Sequence, residues 1–180
     1  MNMKALKVVG IILLVLIGLP LVLALFVSND FSYEQSILIN APVEEVWANT
    51  NTLEKMDAWS PWTAKDPELS QTFEGSPGAV GEKNCWDSQS EAVGAGCQTI
   101  TKVEAPYLLA SHLDFSRPNE AEGEAYIRLK ATENGTEVSW AMESSLPYPI
   151  NLLNLIMPAE KAMGPDFTAG LNKLKSIVES

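Results

Sequence analysis

The chain has 180 residues, with 23 acidic against 12 basic side chains and a formal net charge of −11. Nucleic acid and anionic lipid headgroups both reward a basic patch, so this balance argues against either as a partner. One histidine, His112, and two cysteines without a CxxC spacing make a poor ligand set, and no resident metal is expected.

The first element is Val8 to Val27, VVGIILLVLIGLPLVLALFV, twenty consecutive positions without a charge. At about 1.5 Å per residue, a helix of that length covers roughly 30 Å, the hydrocarbon thickness of a bilayer. Residues 8–27 therefore predict a transmembrane helix, and Pro20 is compatible because neighbouring groups can satisfy the carbonyl it frees. Lys4 and Lys7 are the only nearby cations, which puts residues 1–7 in the cytoplasm and residues 28–180 outside, in the periplasm of a bacterium. The competing reading is a cleaved signal peptide, whose apolar core runs about 7 to 15 residues before a small-x-small site. Leu25, Phe26 and Val27 are poor neighbours for such a cut.

Residues 28–180 suit one domain with a single core. With Lys4 and Lys7 set apart, 10 basic residues face 23 acidic ones there, an acidity that favours solubility. Phe31 to Ile39 alternates as a strand. Asn40 reads as the N-cap of a short amphipathic helix with Pro42, Glu44 and Glu45 in its first turn and Val43, Val46, Trp47 and Thr50 on one face. A second short helix follows at Leu53 to Ala58, then a loop at Trp59-Ser60-Pro61-Trp62. Strand signals then run at Leu69–Phe73, Val80–Ser88, Gln98–Glu104, Leu108–Phe115, Gly123–Thr132 and Thr136–Ser144. Asn134-Gly135 marks a tight hairpin, since both residues accept positive φ. Beyond Pro147 and Pro149 the period becomes helical. From Ile150 to Val178 the residues Leu153, Ile156, Met157, Met163, Phe167, Leu171, Leu174 and Val178 share a face, with a break or kink expected at Gly164-Pro165 and Asp166 opening the last helix.

Cys85 and Cys97 flank a glycine-containing turn. A tight hairpin centred near Glu91 would set them directly opposite each other, and an oxidising exterior would allow a disulfide, with two free buried thiols as the alternative.

Catalytic signatures are missing: there is no GxSxG, HExxH, phosphate-cradling loop or dinucleotide fingerprint, and no cofactor is expected. His112 and Ser111 fall on opposite strand faces, which argues against a triad. Asp57, Asp114, Glu143 and Asp166 read as scattered acids, solvated or capping.

An antiparallel sheet of about seven strands with two short helices and one long terminal helix is an α+β arrangement. One helix does not fill the concavity of such a sheet unless large side chains plug the rest, so a cavity of a few hundred Å³ is expected. Strand parity turns Val138, Trp140 and Met142 inward, with Ala125, Ile127 and Leu129, and with Leu109, Leu113 and Phe115; Glu137, Ser139, Glu143, Tyr126, Arg128, Lys130 and His112 turn outward. Trp86, Met157 and Phe167 complete the expected lining, and Trp59 with Trp62 are placed at the entrance. Taken singly, each of these residues reads more readily as ordinary core than as pocket lining. Parity supplies no inward arginine or carboxylate.

The stretches INAPVEEVW (39–47), AWSPW (58–62), the hairpin with Trp86, GTEVSWAM (135–142) and GPDFTAGLNKLKSIVE (164–179) occur in one collinear order. Together they resemble the START-like helix-grip superfamily, in its polyketide cyclase/dehydrase and lipid transport branch (SRPBCC). The resemblance implies an apolar pocket between sheet and terminal helix, used in relatives to bind lipids, hormones or polyketides, or to cyclise and dehydrate them. Three functions are compatible with this: a membrane-anchored binding domain for a small apolar ligand or lipid, an enzyme acting on an apolar substrate, and an interaction module with a filled core. Catalytic residues of the cyclases have no counterpart that parity turns inward.

Overall fold

Alternating apolar and polar positions produce seven strands: β1 (Asp30–Ile39), β2 (Ser70–Glu74), β3 (Lys83–Asp87), β4 (Ala95–Glu104), β5 (Leu108–Arg117), β6 (Ala121–Thr132) and β7 (Gly135–Ser145). The structure, a computed structural model, describes residues 3–180; Met1 and Asn2 of the expected cytoplasmic N-terminus lie outside the described residues. All strand pairs are antiparallel, in the order β1-β7-β6-β5-β4-β3-β2. From β2 to β7 each strand pairs with the next in sequence, which short turns make inexpensive in chain entropy. Only β1 is brought from far away, with Ile39 opposite Thr136 and Asp30 opposite Ser145.

Three short helices, one more than expected, separate β1 from β2: α2 (Val43–Ala48), α3 (Leu53–Asp57) and α4 (Pro61–Lys65), after an N-terminal α1 (Met3–Ala24). Thr52 caps α3 by accepting from the Lys55 amide at 3.1 Å. The expected loop at 59–62 is the start of α4, because Ser60 accepts from the Trp62 amide at 3.3 Å and Pro61 supplies a preset helical φ. Asn40 is not the cap of α2. Pro42 holds that position, while the Asn40 amide donates to the Glu179 carboxylate at 2.7 Å.

After β7 come a 3-10 turn (Ile150–Leu152), α5 (Leu153–Ile156) and α6 (Ala159–Val178). The expected break at Gly164-Pro165 does not occur, and Asp166 lies inside α6, paired with Lys65 at 2.6 Å. Pro165 faces solvent and removes one backbone donor, a cost of about 3 kcal/mol in an exposed helix. Packing of the face carrying Phe167, Leu171, Leu174 and Val178 on β1 and β7 outweighs it. Gly164 serves that packing, since a Cβ there would stand 3.0 Å from the Tyr33 hydroxyl. The core is centred on Ile39, Val46, Ile100, Leu109, Ile127, Val138, Leu171 and Leu174, all at most 1% exposed.

Helix α1 stands apart from this core. Residues Lys7–Ala24 form an 18-residue stretch of mean hydropathy 2.7, long and apolar enough to cross a membrane, and nearly all of it is exposed. The helix ends at Ala24, three residues before the expected Val27. Leu25, Phe26 and Val27 instead bond to carbonyls three residues back, a tightened last turn.

Candidate functional site

Helices α3 and α4 lie over the concave face of the β2–β5 end of the sheet and enclose a hollow of about 120 Å³. That is below the few hundred Å³ expected, and the reason is aromatic filling. Trp140 of β7 stacks on Phe167 of α6 with centroids 4.2 Å apart and 10° between planes, while Trp59 and Trp62 meet Trp140 edge-on at 5.1 and 5.5 Å. Trp86 and Phe115 form a further edge-on pair, at 5.8 Å. The remaining space suits about one ring, since a cavity near 150 Å³ holds benzene.

Eight of the expected lining residues surround this hollow: Trp59, Trp62, Trp86, Leu113, Phe115, Trp140, Met142 and Phe167. Leu109, Ile127 and Leu129 do face inward, but they are 1%, 1% and 4% exposed in solid core where α2 covers β6. Parity reports which face a residue takes and not how far along the strand the hollow extends. Met157 is 56% exposed in the turn after α5 and does not line the hollow, because the chain there follows the end of α1 and not the sheet. Trp59 is not at the mouth either: it is 2% exposed, and its indole N–H donates to the Asn49 carbonyl at 3.1 Å. The roof is supplied chiefly by α3 and α4, with Phe167 as the contribution of α6.

The polar part of the wall was not foreseen. Asp57 at the end of α3 lines the hollow with Gln71 of β2, Asn84 of β3 and Gln98 of β4. Asp57 Oδ1 accepts from the Thr63 hydroxyl at 2.6 Å and from Gln71 Nε2 at 2.8 Å; Gln71 Oε1 in turn accepts from Asn84 Nδ2 at 2.8 Å. Gln98 Nε2 donates to the Ser111 hydroxyl at 2.7 Å. Asn84 could have been found from Trp86, which it precedes by two positions and so shares a face with; Asp57 sits on a helix, where strand parity is silent.

On the opposite face, Cys85 and Cys97 are directly paired across β3 and β4 and joined as a disulfide. His112 is also outside, with Nδ1 at 2.6 Å from Glu124 Oε1 and Nε2 at 3.2 Å from Asp114 Oδ1. The Glu124 hydrogen bond is the main cause that raises its pKa above 6.5, opposed in part by burial and helped by Asp114. His112, Asp114 and Glu122 each bring a ligand atom within 4.8 Å of the others there, on an exposed surface.

A curved antiparallel sheet closed by one long terminal helix defines an α+β helix-grip domain. Residues 30–179 match the family model described as "Polyketide cyclase / dehydrase and lipid transport", and the chain belongs to that family. Its fold is similar to a protein of Chromobacterium violaceum at 15% identity, with 83% of this chain and 97% of the other covered and a TM-score of 0.59. A protein of Mesorhizobium loti is similar at 17% identity, with coverages of 82% and 96% and a TM-score of 0.56. The di-domain ARO/CYC StfQ of the steffimycin biosynthetic pathway is similar at 9% identity, covering 84% of this chain and 51% of that one, with a TM-score of 0.60. Among curated proteins none matches the chain.

Proposed function

We propose that the chain is a membrane-anchored binding protein for a small, largely apolar ligand, lipid-derived or otherwise, held in the hollow beneath α3 and α4. The observation that carries this reading is the aromatic-lined hollow itself, in a family described by lipid transport and polyketide chemistry. Rings of Trp59, Trp62, Trp86, Phe115, Trp140 and Phe167 supply contact area to an apolar guest without offering it a charge. Helix α1, exposed and apolar, holds the domain at a bilayer. Lys4 and Lys7 favour a cytoplasmic N-terminus, and the Cys85–Cys97 bond suits an oxidising exterior for the domain.

The test is native mass spectrometry of the full chain released from its own host membrane, followed by titration of intrinsic tryptophan fluorescence with apolar probes. A copurifying small molecule and saturable quenching are expected; an empty protein that binds nothing across a broad panel would end this reading.

A second reading, catalysis on the bound molecule, is favoured by one observation. Asp57 places the one carboxylate among the lining residues on the polar side of a largely aromatic hollow, which is where a general base would have to stand. Retention of binding with loss of turnover in Asp57→Asn would select this reading.

A further inference from the structure

Residues 144–159 are sixteen consecutive positions without a charge, in a domain otherwise rich in acids. Pro147, Pro149 and Pro158 keep the stretch from forming one long helix, and it is too short to cross a bilayer, so it belongs either in a core or at an interface. It is not core: Ile150, Leu153, Leu155, Ile156 and Met157, in the 3-10 turn, α5 and the residue after it, are 44–76% exposed. Its position is set by α1. The 3-10 turn packs against that helix. The Tyr148 hydroxyl donates to the Leu21 carbonyl at 3.3 Å, the Asn151 side chain to the Ala24 and Val27 carbonyls, and Asn154 to that of Ser28. Leu21 lies three residues inside the end of α1, about 4.5 Å along its axis, so Tyr148 reaches past the level at which the apolar helix stops.

We infer that residues 146–157 are a second membrane contact, their apolar side chains lying in the interface of the leaflet from which the domain emerges. This deepens and rests on the membrane-anchored reading above. A bilayer is the occupant because the segment is tied to α1, which on that reading crosses one: wherever the last turn of the helix lies, this stretch lies beside it. Leu25 and Phe26, both exposed, extend the same apolar surface. Tyr148 has the amphipathic ring of an interfacial anchor. With no basic side chain in the stretch, attraction comes from buried apolar area and not from anionic headgroups, in keeping with the acidity of the domain. One helix and a linker would leave the domain free to tilt, whereas a second contact fixes which end of the sheet is held at the membrane. That end carries the hollow, since Leu113, Gln98 and Asn84 on its wall fall in one cross-strand row with Phe31, the second residue of β1.

The test places the full-length chain in phosphatidylcholine nanodiscs, with Ile156→Cys, Leu14→Cys and Asn134→Cys each labelled with an environment-sensitive nitrobenzoxadiazole fluorophore. Cys85 and Cys97 are bonded to each other and take no label. Leu14 stands midway along α1, and Asn134 in the turn between β6 and β7 at the far end of the sheet. The Ile156 probe should emit to the blue of the Asn134 probe and lose most of its emission to lipid carrying a doxyl group near the headgroup. The Leu14 probe should instead be quenched most by a doxyl group near the end of the acyl chain. An Ile156 probe that behaves like the Asn134 probe, while Leu14 is quenched, would overturn this inference and leave the anchor standing. A blue-shifted Ile156 probe that neither lipid quenches would overturn it too, by showing that protein and not lipid covers the segment. Quenching at neither Ile156 nor Leu14 would remove the membrane-anchored reading as well. Leu155→Cys, exposed beside Ile156, gives the same reading should the first label disturb the turn.

Discussion

Trp140 and Phe167 lie face to face at 4.2 Å, the one stacked aromatic pair among the described residues, and they join the strand next to the sheet edge to the terminal helix. Both are nearly buried, at 5% and 1% exposed, and Tyr33 of β1 meets Phe167 edge-on at 5.4 Å. The pair is therefore at once the back wall of the hollow and the clamp that holds α6. Phe167→Ala should cost about 3–5 kcal/mol in denaturant unfolding, the usual range for removing a buried aromatic ring. A loss under about 1 kcal/mol would show that α6 is held elsewhere.

Gly170 tests the same contact from the helix side. A Cβ there would stand 2.8 Å from Trp140 Cζ3 and 3.3 Å from Pro61 Cδ, so α6 and α4 approach the indole as closely as a bare backbone permits. Gly to Ala in an exposed helix gains about 1 kcal/mol from propensity alone. Overpacking here should outweigh it, and Gly170→Ala is expected to lower stability by about 1–2 kcal/mol. A rise in melting temperature would mean that the Trp140 ring moves aside at little cost.

How much of this was legible in the sequence follows from the reach of each signal. Alternation and turn residues located all seven strands, because a strand that is buried on one face writes its period directly into the chain. Hairpin symmetry about Glu91 likewise paired Cys85 with Cys97. Local caps were harder: Ser60-Pro61 reads as a loop until its hydroxyl is seen to accept from Trp62. The continuity of α6 through Pro165 was not legible at all, since tertiary packing and not local preference decides it. At the site, eight of the aromatic and aliphatic wall residues followed from parity and family resemblance, whereas Asp57, Gln71, Asn84 and Gln98 did not. Polar side chains in a strand read as solvent-facing by default, and only the roof formed by α3 and α4 turns that corner into a wall.

The outward-facing disulfide closes a loop of 12 residues, and constraint of the unfolded chain over such a span is worth about 3 kcal/mol. Thiol labelling of the denatured, unreduced protein should detect no free thiol, and reduction should lower the unfolding free energy by about 2–4 kcal/mol. Recovery of two reactive thiols before reduction would remove the bond from the native protein.

His112 supplies a pH dependence whose sign is set by its raised pKa. The folded state binds the proton more tightly than the unfolded state does, chiefly through Glu124. Its contribution to stability is therefore fully present below about 6.5, the unfolded value, and is lost as pH rises through the higher folded value. The pair is partly exposed, so the effect on stability is small and screened by salt. An NMR titration of the His112 ring should place its midpoint above that of a free histidine, and Glu124→Gln should bring the midpoint down. An unchanged midpoint in that variant would assign the shift to Asp114 instead.

The junction between α1 and the domain is tied by side chains from the segment after β7. Asn151, 1% exposed, donates through Nδ2 to the carbonyls of Ala24 at 2.8 Å and Val27 at 2.9 Å, and Asn154 donates to Ser28 at 3.0 Å. The Ala24 carbonyl already accepts from the Val27 amide in the tightened last turn, whereas the Val27 and Ser28 carbonyls lie just beyond the end of α1. Around them Leu25, Phe26, Leu155 and Ile156 are 65–83% exposed, an apolar collar that continues the apolar surface of α1 onto the domain. On the membrane-anchored reading proposed above, this collar would lie where a bilayer gives way to water, and an unsealed helix end is costly there because solvent is only partly available. Asn151→Leu keeps the branched four-atom shape of the side chain, though with bulkier methyl groups, and removes both donations. Limited proteolysis in nanodiscs should then cut residues 25–29 several-fold faster than in the wild-type chain, while the unfolding of the sheet is unchanged. Equal cleavage rates would show that the two donations do not restrain this junction, and a loss of sheet stability would show instead that Asn151 belongs to the core of the domain.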